Sequence, residues 1–277
     1  MSLNIVFMGT PEFSIPTLDA LIKNQYNILK VYTQPPKKSK RGQKVNASSI
    51  EAFCQKNKIN FSNPININNE EDFKILKKLS PDIVVVVAYG QIIPKSFLSL
   101  AKFGFINVHA SLLPKWRGAA PIQRAIMNGD NKIGVSIMKI EEKLDSGPVL
   151  LLKEIELNKN ITHGELVKEL SVMGADLLIE SLKVIKSGSF KFLSQAHSDA
   201  TYAKKIEKTE TKINWNLEAN KVLSNIHGLS PNPGSWFEYK NERFKVLRAK
   251  TSSPNGTPGL VLDENLTVAC KSNSIEI

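Results

Sequence analysis

Six consecutive apolar residues, Ile83-Val84-Val85-Val86-Val87-Ala88, constrain the fold more than any other stretch of this chain. Branching at Cβ favours extended backbone here. The run is far too short to span a membrane. It shows no alternation of apolar and polar residues, so both faces of the strand must be covered. That is the demand of a central strand in a parallel sheet with helices packed on both sides. Pro81-Asp82 introduces the strand and Tyr89-Gly90 ends it.

The flanking sequence supplies the partners. Ile5-Val6-Phe7-Met8 reads as a strand that stops at Gly9-Thr10-Pro11-Glu12. Thr10 suits a helix cap, Pro11 the first turn and Glu12 the positive end of the helix dipole. Further strands are expected at 28–33, 105–109, 134–140 and 149–155, and helices at 49–57, 70–79 and 119–128. Thr162-His163-Gly164-Glu165 has the form of a capping box, opening a helix that runs to about residue 186 and stops at Gly188. This alternation predicts an α/β fold with a Rossmann-like, doubly wound, mostly parallel sheet over residues 1–188. Residues 189–205 read as a linker. Residues 206–277 carry one short helix (217–228), a Pro231-Asn232-Pro233-Gly234 turn and short strands at 236–239, 244–249, 259–262 and 266–269, a pattern that suits a small β-barrel.

Charge points to an anionic partner. The formal net charge is +11, and a chain this basic commonly meets nucleic acid, phosphate or an acidic surface. Lys37, Lys38, Lys40, Arg41 and Lys44 follow Pro35-Pro36 with no acid among them, which predicts a mobile basic loop. A solvated surface loop is the plain alternative for such a run. The two cysteines, Cys54 and Cys270, are far apart and in no metal-binding spacing, so a disulfide framework is not expected and a reducing compartment is. The first residues read as a strand and not as a signal peptide, and the expected location is the cytoplasm, with no membrane partner. Gly9-Thr10-Pro11 is not the glycine-rich dinucleotide fingerprint, and neither a phosphate-binding loop nor a cluster of metal ligands is visible.

Asn107 and His109 lie two apart on the strand expected at 105–109, so their side chains leave the same face. The C-terminal end of that strand is where open α/β sheets place ligands. Asp145 sits in a later loop, Lys143-Leu144-Asp145-Ser146-Gly147. An amide, an imidazole and a carboxylate suit acyl transfer to an amine. The amine is already a nucleophile, Asn107 can donate to an oxyanion, and His109 can move a proton while Asp145 orients it. Taken alone, the two strand residues are also compatible with packing roles and Asp145 with a turn.

The wider sequence then becomes recognisable. Phe7-Met8-Gly9-Thr10-Pro11-Glu12-Phe13, Asn107-Val108-His109 with the following Ala110 to Ile122, and Leu144-Asp145-Ser146-Gly147 closely resemble the methionyl-tRNA formyltransferase branch of the folate-dependent formyltransferases. The resemblance covers nearly the whole chain. It implies 10-formyltetrahydrofolate as donor, the amino group of methionyl-initiator tRNA as acceptor, and Asn107, His109 and Asp145 as catalytic. It implies folate contacts at Ser111, Leu112, Leu113 and Pro114 and at Tyr89, Gly90, Gln91 and Ile92. It implies tRNA contacts at Lys37, Lys38, Lys40, Arg41 and Lys44, and an open, OB-like barrel at 206–277 that stops a strand short of the family pattern. A monomer satisfies all of this. Two other functions remain open at this stage: transfer of a formyl group to a small amine, and nucleic-acid binding without catalysis.

Overall fold

The computed structural model describes residues 2–39 and 44–277. In chain order the first elements are β1 (Asn4–Gly9), α1 (Ile15–Lys23), β2 (Asn27–Tyr32), β3 (Lys37–Ser39), β4 (Lys44–Asn46), α2 (Ser49–Lys56), β5 (Phe61–Ser62), α3 (Glu70–Leu79), β6 (Ile83–Val87) and β7 (Phe105–His109). They are followed by β8 (Arg117–Gly118), α4 (Pro121–Asn128), β9 (Lys132–Lys139), β10 (Val149–Glu156) and α5 (His163–Ser187). The central sheet has seven strands in the order β10-β9-β7-β6-β1-β2-β5. Pairings β1–β2, β1–β6, β6–β7 and β2–β5 are parallel, and β7–β9 is antiparallel. The sheet is mostly parallel, as the sequence requires.

All five residues of β6 are buried. Val84 and Val86 join Val6, Met8, Tyr32, Leu76, Phe97 and Phe105 in one core cluster. Burying each such side chain stabilises by roughly 1.5–3 kcal/mol. α5 covers part of the sheet closely: a Cβ placed on Gly174 would stand 2.7 Å from Val108 Cγ1. Only a glycine lets the helix backbone come that near β7.

Local signals act where the side chains reach them. Ser48 caps α2 by accepting from the Glu51 amide, and Asn69 caps α3 by accepting from the Asp72 amide. Thr162 and Glu165 form the expected box, with Glu165 Oε2 accepting from the Thr162 amide at 2.8 Å. The start of α1 differs from expectation. Thr10 does not cap a helix; its hydroxyl donates to the Tyr89 carbonyl at 2.7 Å, and a 3₁₀ turn (Glu12–Ser14) precedes α1. The basic segment also differs: β3 and β4 pair antiparallel, so its flanks form a short ladder where a loop was expected.

By internal contacts the chain divides into two units. The first comprises residues 1–114, 134–153 and 170–200, and holds most of the sheet; the second comprises 115–133, 154–169 and 201–277. In the second unit β11 (Tyr202–Ala203) pairs in parallel with β8. It continues with α6 (Ala219–Leu229), β12 (Ser235–Tyr239), β13 (Glu242–Val246), β14 (Lys250–Ser252), β15 (Thr267–Ala269) and β16 (Ser274–Glu276). Ala219, Val222, Leu223 and Ile226 of α6 recur at helical spacing and pack with Val246, Ala249, Cys270 and Ile275. The strands form a β12–β13 hairpin and a separate β14-β16-β15 sheet, with no closed barrel among the described residues. The strand expected at 244–249 is broken, ending at Val246 and resuming at Lys250. That expected at 259–262 is reduced to one bridge, Val261 to Val268, because Gly259 turns the chain with φ +89°.

Candidate active site

In the parallel part of the sheet β1, β2, β6 and β7 end at the same edge. The loops after them carry Thr10, the basic segment from Lys37, the stretch Tyr89 to Ile92 and the stretch Ala110 to Pro114. The expected folate segments and the start of the basic segment therefore lie at one sheet edge, the place where open α/β sheets receive ligands.

Within β7 four residues are buried and Asn107 alone is half-buried. His109 is 6% exposed and pairs across the ladder with Ser136 of β9. Its Nδ1 lies 3.7 Å from Asp145 Oδ2. That is an ion-pair distance and too long for a hydrogen bond. The carboxylate can hold the imidazole in place.

Asp145 reaches His109 by an indirect route. β9 runs against β7, with Lys139 beside Ile106 and Ser136 beside His109. The chain thus leaves β9 near the start of β7 and has to fold back along it before Asp145 meets His109. Asp145 takes φ +46°, a left-handed conformation that Asp tolerates better than most residues. The Ser146 hydroxyl donates to the Lys143 carbonyl at 2.9 Å. A Cβ on Gly147 would lie 1.9 Å from the Lys139 carbonyl oxygen, so the loop closes only with glycine there.

The loop after β7 is fixed from beneath. The hydroxyl of Ser136, fully buried, donates to the Ser111 carbonyl at 2.7 Å and accepts from the Leu113 amide at 3.1 Å. Ser111 is itself buried, and Leu113 packs with Met138 and Val149. The Leu113–Pro114 peptide is cis. Leu113 thus anchors its loop in the core. Ser136 escaped the sequence reading; its placement opposite His109 is visible only once the antiparallel register of β9 is known.

The stretch 89–92 is mixed. Tyr89 is buried in the core with a hydroxyl that has no hydrogen-bond partner among the described residues, and burial raises its pKa. Gln91 accepts from the Ile67 amide at 2.7 Å and donates to the Pro64 carbonyl at 2.9 Å, and so ties this edge to the segment before α3. Ile92 is 92% exposed, and Gly90 lies beside the Gln34 side chain. Gly90 and Ile92 are the exposed residues of this stretch. Of the basic residues, Lys37 is exposed and its ammonium donates to Gln34 Oε1. Lys38 and Lys44 stand on β3 and β4. Lys40 and Arg41 lie outside the described residues.

Known proteins share this arrangement of sequence. The family described as Formyl transferase matches residues 3–182, and Formyl transferase, C-terminal domain matches residues 205–277. The methionyl-tRNA formyltransferase of Pelagibacter ubique is 47% identical over 279 residues, covering 100% of this chain and 90% of that protein. That of a Chelativorans species is 41% identical over 282 residues, covering 100% and 91%. Among solved structures, an N-formyltransferase from Helicobacter canadensis in complex with folinic acid and dTDP-3-aminofucose superposes with a TM-score of 0.74. It is 16% identical, over 99% of this chain and 98% of that one, a likeness of fold alone.

Proposed function

This chain belongs to the methionyl-tRNA formyltransferase family and is a formyl-transferring enzyme, and from that premise we propose that it moves the formyl group of 10-formyltetrahydrofolate onto the α-amino group of methionyl-initiator tRNA through Asn107, His109 and Asp145. The observation that carries the site assignment is the approach of His109 Nδ1 to Asp145 Oδ2, on the strand whose one half-buried residue is Asn107.

The chemistry follows from these groups. The amine lone pair attacks the formyl carbon, and the carbonyl electrons move to oxygen. The Asn107 amide donates to that oxyanion; loss of one such donor costs about a hundredfold to a thousandfold in rate. His109 relays the proton from the attacking nitrogen toward the leaving folate nitrogen, and Asp145 stabilises the imidazolium that forms in between. Collapse of the intermediate breaks the old carbon–nitrogen bond and leaves the formyl group on the methionyl amine.

The folate would lie along the loop edge formed by Ser111, Leu112, Leu113 and Pro114 and by Tyr89, Gly90, Gln91 and Ile92. Fully paired side chains of Gln91 and Ser136 suit a rigid backbone cradle there. Lys37, Lys38, Lys40, Arg41 and Lys44 would meet the phosphates of the acceptor end. Residues 206–277, read as the open, OB-like domain after a linker at 189–205, would add further RNA contacts. Such an enzyme would work in the cytoplasm as a monomer.

The direct test offers formyl-folate with methionyl-tRNA or with small amines such as aminosugar nucleotides. Transfer to the tRNA is expected. Transfer to the small amines alone would overturn the acceptor, wild-type turnover in Asn107→Ala and His109→Ala would overturn the catalytic assignment, and RNA binding with no transfer to any amine would leave only a nucleic-acid-binding protein.

A further inference from the structure

The loop that carries Asp145 is held by a residue that follows α5 in the chain. Gln195 is 8% exposed. Its Nε2 donates to the Asp145 carbonyl at 2.9 Å and to the Gly147 carbonyl at 2.6 Å. Two residues earlier Leu193 exchanges both backbone hydrogen bonds with Val149, each at 2.8 Å. Gln195 is thereby fixed to the start of β10, directly beyond the loop it binds.

We propose that Gln195 is a positioning residue for formyl transfer: its amide fixes the Asp145–Ser146 and Gly147–Pro148 peptide planes and so sets the reach of Asp145 to His109. The inference rests on the reading of Asp145 as part of the active site. Three observations converge on it. The loop 140–148 has no helix or strand ladder of its own, yet it must fold back along β7. Asp145 is held at φ +46°, a conformation that surrounding structure has to enforce. And the two carbonyls that Gln195 binds belong to the aspartate itself and to the glycine that closes the turn.

The chemistry of the side chain is matched to this task. A primary amide nitrogen offers two N–H bonds from one uncharged atom, enough to satisfy two buried carbonyls without desolvating a charge. A carboxylate at the same place would set lone pairs against both carbonyl oxygens. Asparagine would be one methylene short.

The test uses Gln195→Met, which keeps the length and most of the volume, and Gln195→Asn, which keeps the amide and loses reach. Transfer from 10-formyltetrahydrofolate to methionyl-tRNA is measured per active site counted by folate binding, and Asp145→Asn is run beside both. Expected is a fall in kcat of about ten- to a hundredfold, KM for both substrates within about twofold of wild type, and a displaced acidic limb in the pH–rate profile. A folded variant with wild-type kcat, a loss carried by KM, or an unmoved pH profile overturns the role of Gln195. Either variant decides the matter if the other fails to fold. Wild-type turnover in Asp145→Asn is a different result, one that removes Asp145 from the site whatever Gln195 does.

Discussion

His109 Nδ1 and Asp145 Oδ2 stand 3.7 Å apart, with the imidazole 7% and the carboxylate 15% exposed. This separation is an ion-pair distance, longer than a direct hydrogen bond. Such contacts commonly tighten when substrate arrives. Asp145→Asn keeps the shape and removes the charge. It is expected to lower kcat between about a hundredfold and ten-thousandfold, with KM for formyl-folate nearly unchanged. Steady-state kinetics at saturating tRNA check this; a loss below about fivefold would remove Asp145 from the proton path.

What the sequence could reveal of this site depended on distance along the chain. Asn107 and His109 are two apart, so strand periodicity alone placed them on one face. The parallel sheet followed from Ile83 to Ala88 for the same local reason. Asp145 came only through its Leu-Asp-Ser-Gly motif, since no periodicity tells where an irregular loop folds back. Ser136 and Gln195 were invisible: each acts through contacts 23 to 50 residues away in sequence, and neither residue type advertises its partner. The strands expected at 244–249 and 259–262 are cut short for a related reason, because turns at Gly259 and after Val246 override the propensity of the apolar residues around them.

Ser136→Ala tests the clamp beneath the loop that follows His109. The change leaves the Ser111 carbonyl and the Leu113 amide without their shared partner in a buried site, at a cost of about 1–3 kcal/mol. Thermal unfolding is expected to show that loss. KM for formyl-folate is expected to rise more than KM for tRNA, since the loosened segment is the one assigned to folate. Equal changes in both would mean that the loop has no special part in folate binding.

Gly147→Ala should act on catalysis through geometry. The added methyl meets the Lys139 carbonyl at 1.9 Å, so either the end of β9 or the Asp145 loop must move. A shift near 1 Å at a reacting group can cost about a hundredfold in rate. The expected result is a large fall in kcat in a protein that still folds, as judged by circular dichroism. A fully active Gly147→Ala would show that the loop has slack that the contact distance does not suggest.

His163, at the start of α5, is pushed down to about 4 by burial. A histidine kept neutral in the fold takes up protons more readily when unfolded, so the unfolded state binds more protons between about pH 4 and the ordinary histidine value of 6.5. Stability should therefore rise with pH across that window. Glu165 acts lower on the scale: hydrogen bonds from Thr162, backbone first, and then Arg248 hold its carboxyl at about 2. Its contribution is present above the usual carboxylate range and is lost as pH falls toward 2. Chemical denaturation of wild type and His163→Gln from pH 4 to 7 separates the two. The variant should show a flatter rise above pH 4, and an unchanged slope would assign the acid sensitivity elsewhere.

The basic segment after β2 makes a prediction about salt. Lys37 emerges at the sheet edge that also carries the loops after β6 and β7, and Lys38, Lys40, Arg41 and Lys44 follow it in sequence. Each cation that neutralises an RNA phosphate releases about one counterion, so the logarithm of the binding constant falls by roughly one for each tenfold rise in salt per contact. Arg41→Ala should weaken use of methionyl-tRNA and reduce that slope by about one, while folate binding stays as it was. Nitrocellulose binding of methionyl-tRNA across a salt series, with folate titrated separately, reads both quantities. If tRNA and folate affinity fell together, Arg41 would be supporting the shape of the sheet edge; if only the intercept moved and the slope did not, Arg41 would touch the RNA without meeting a phosphate.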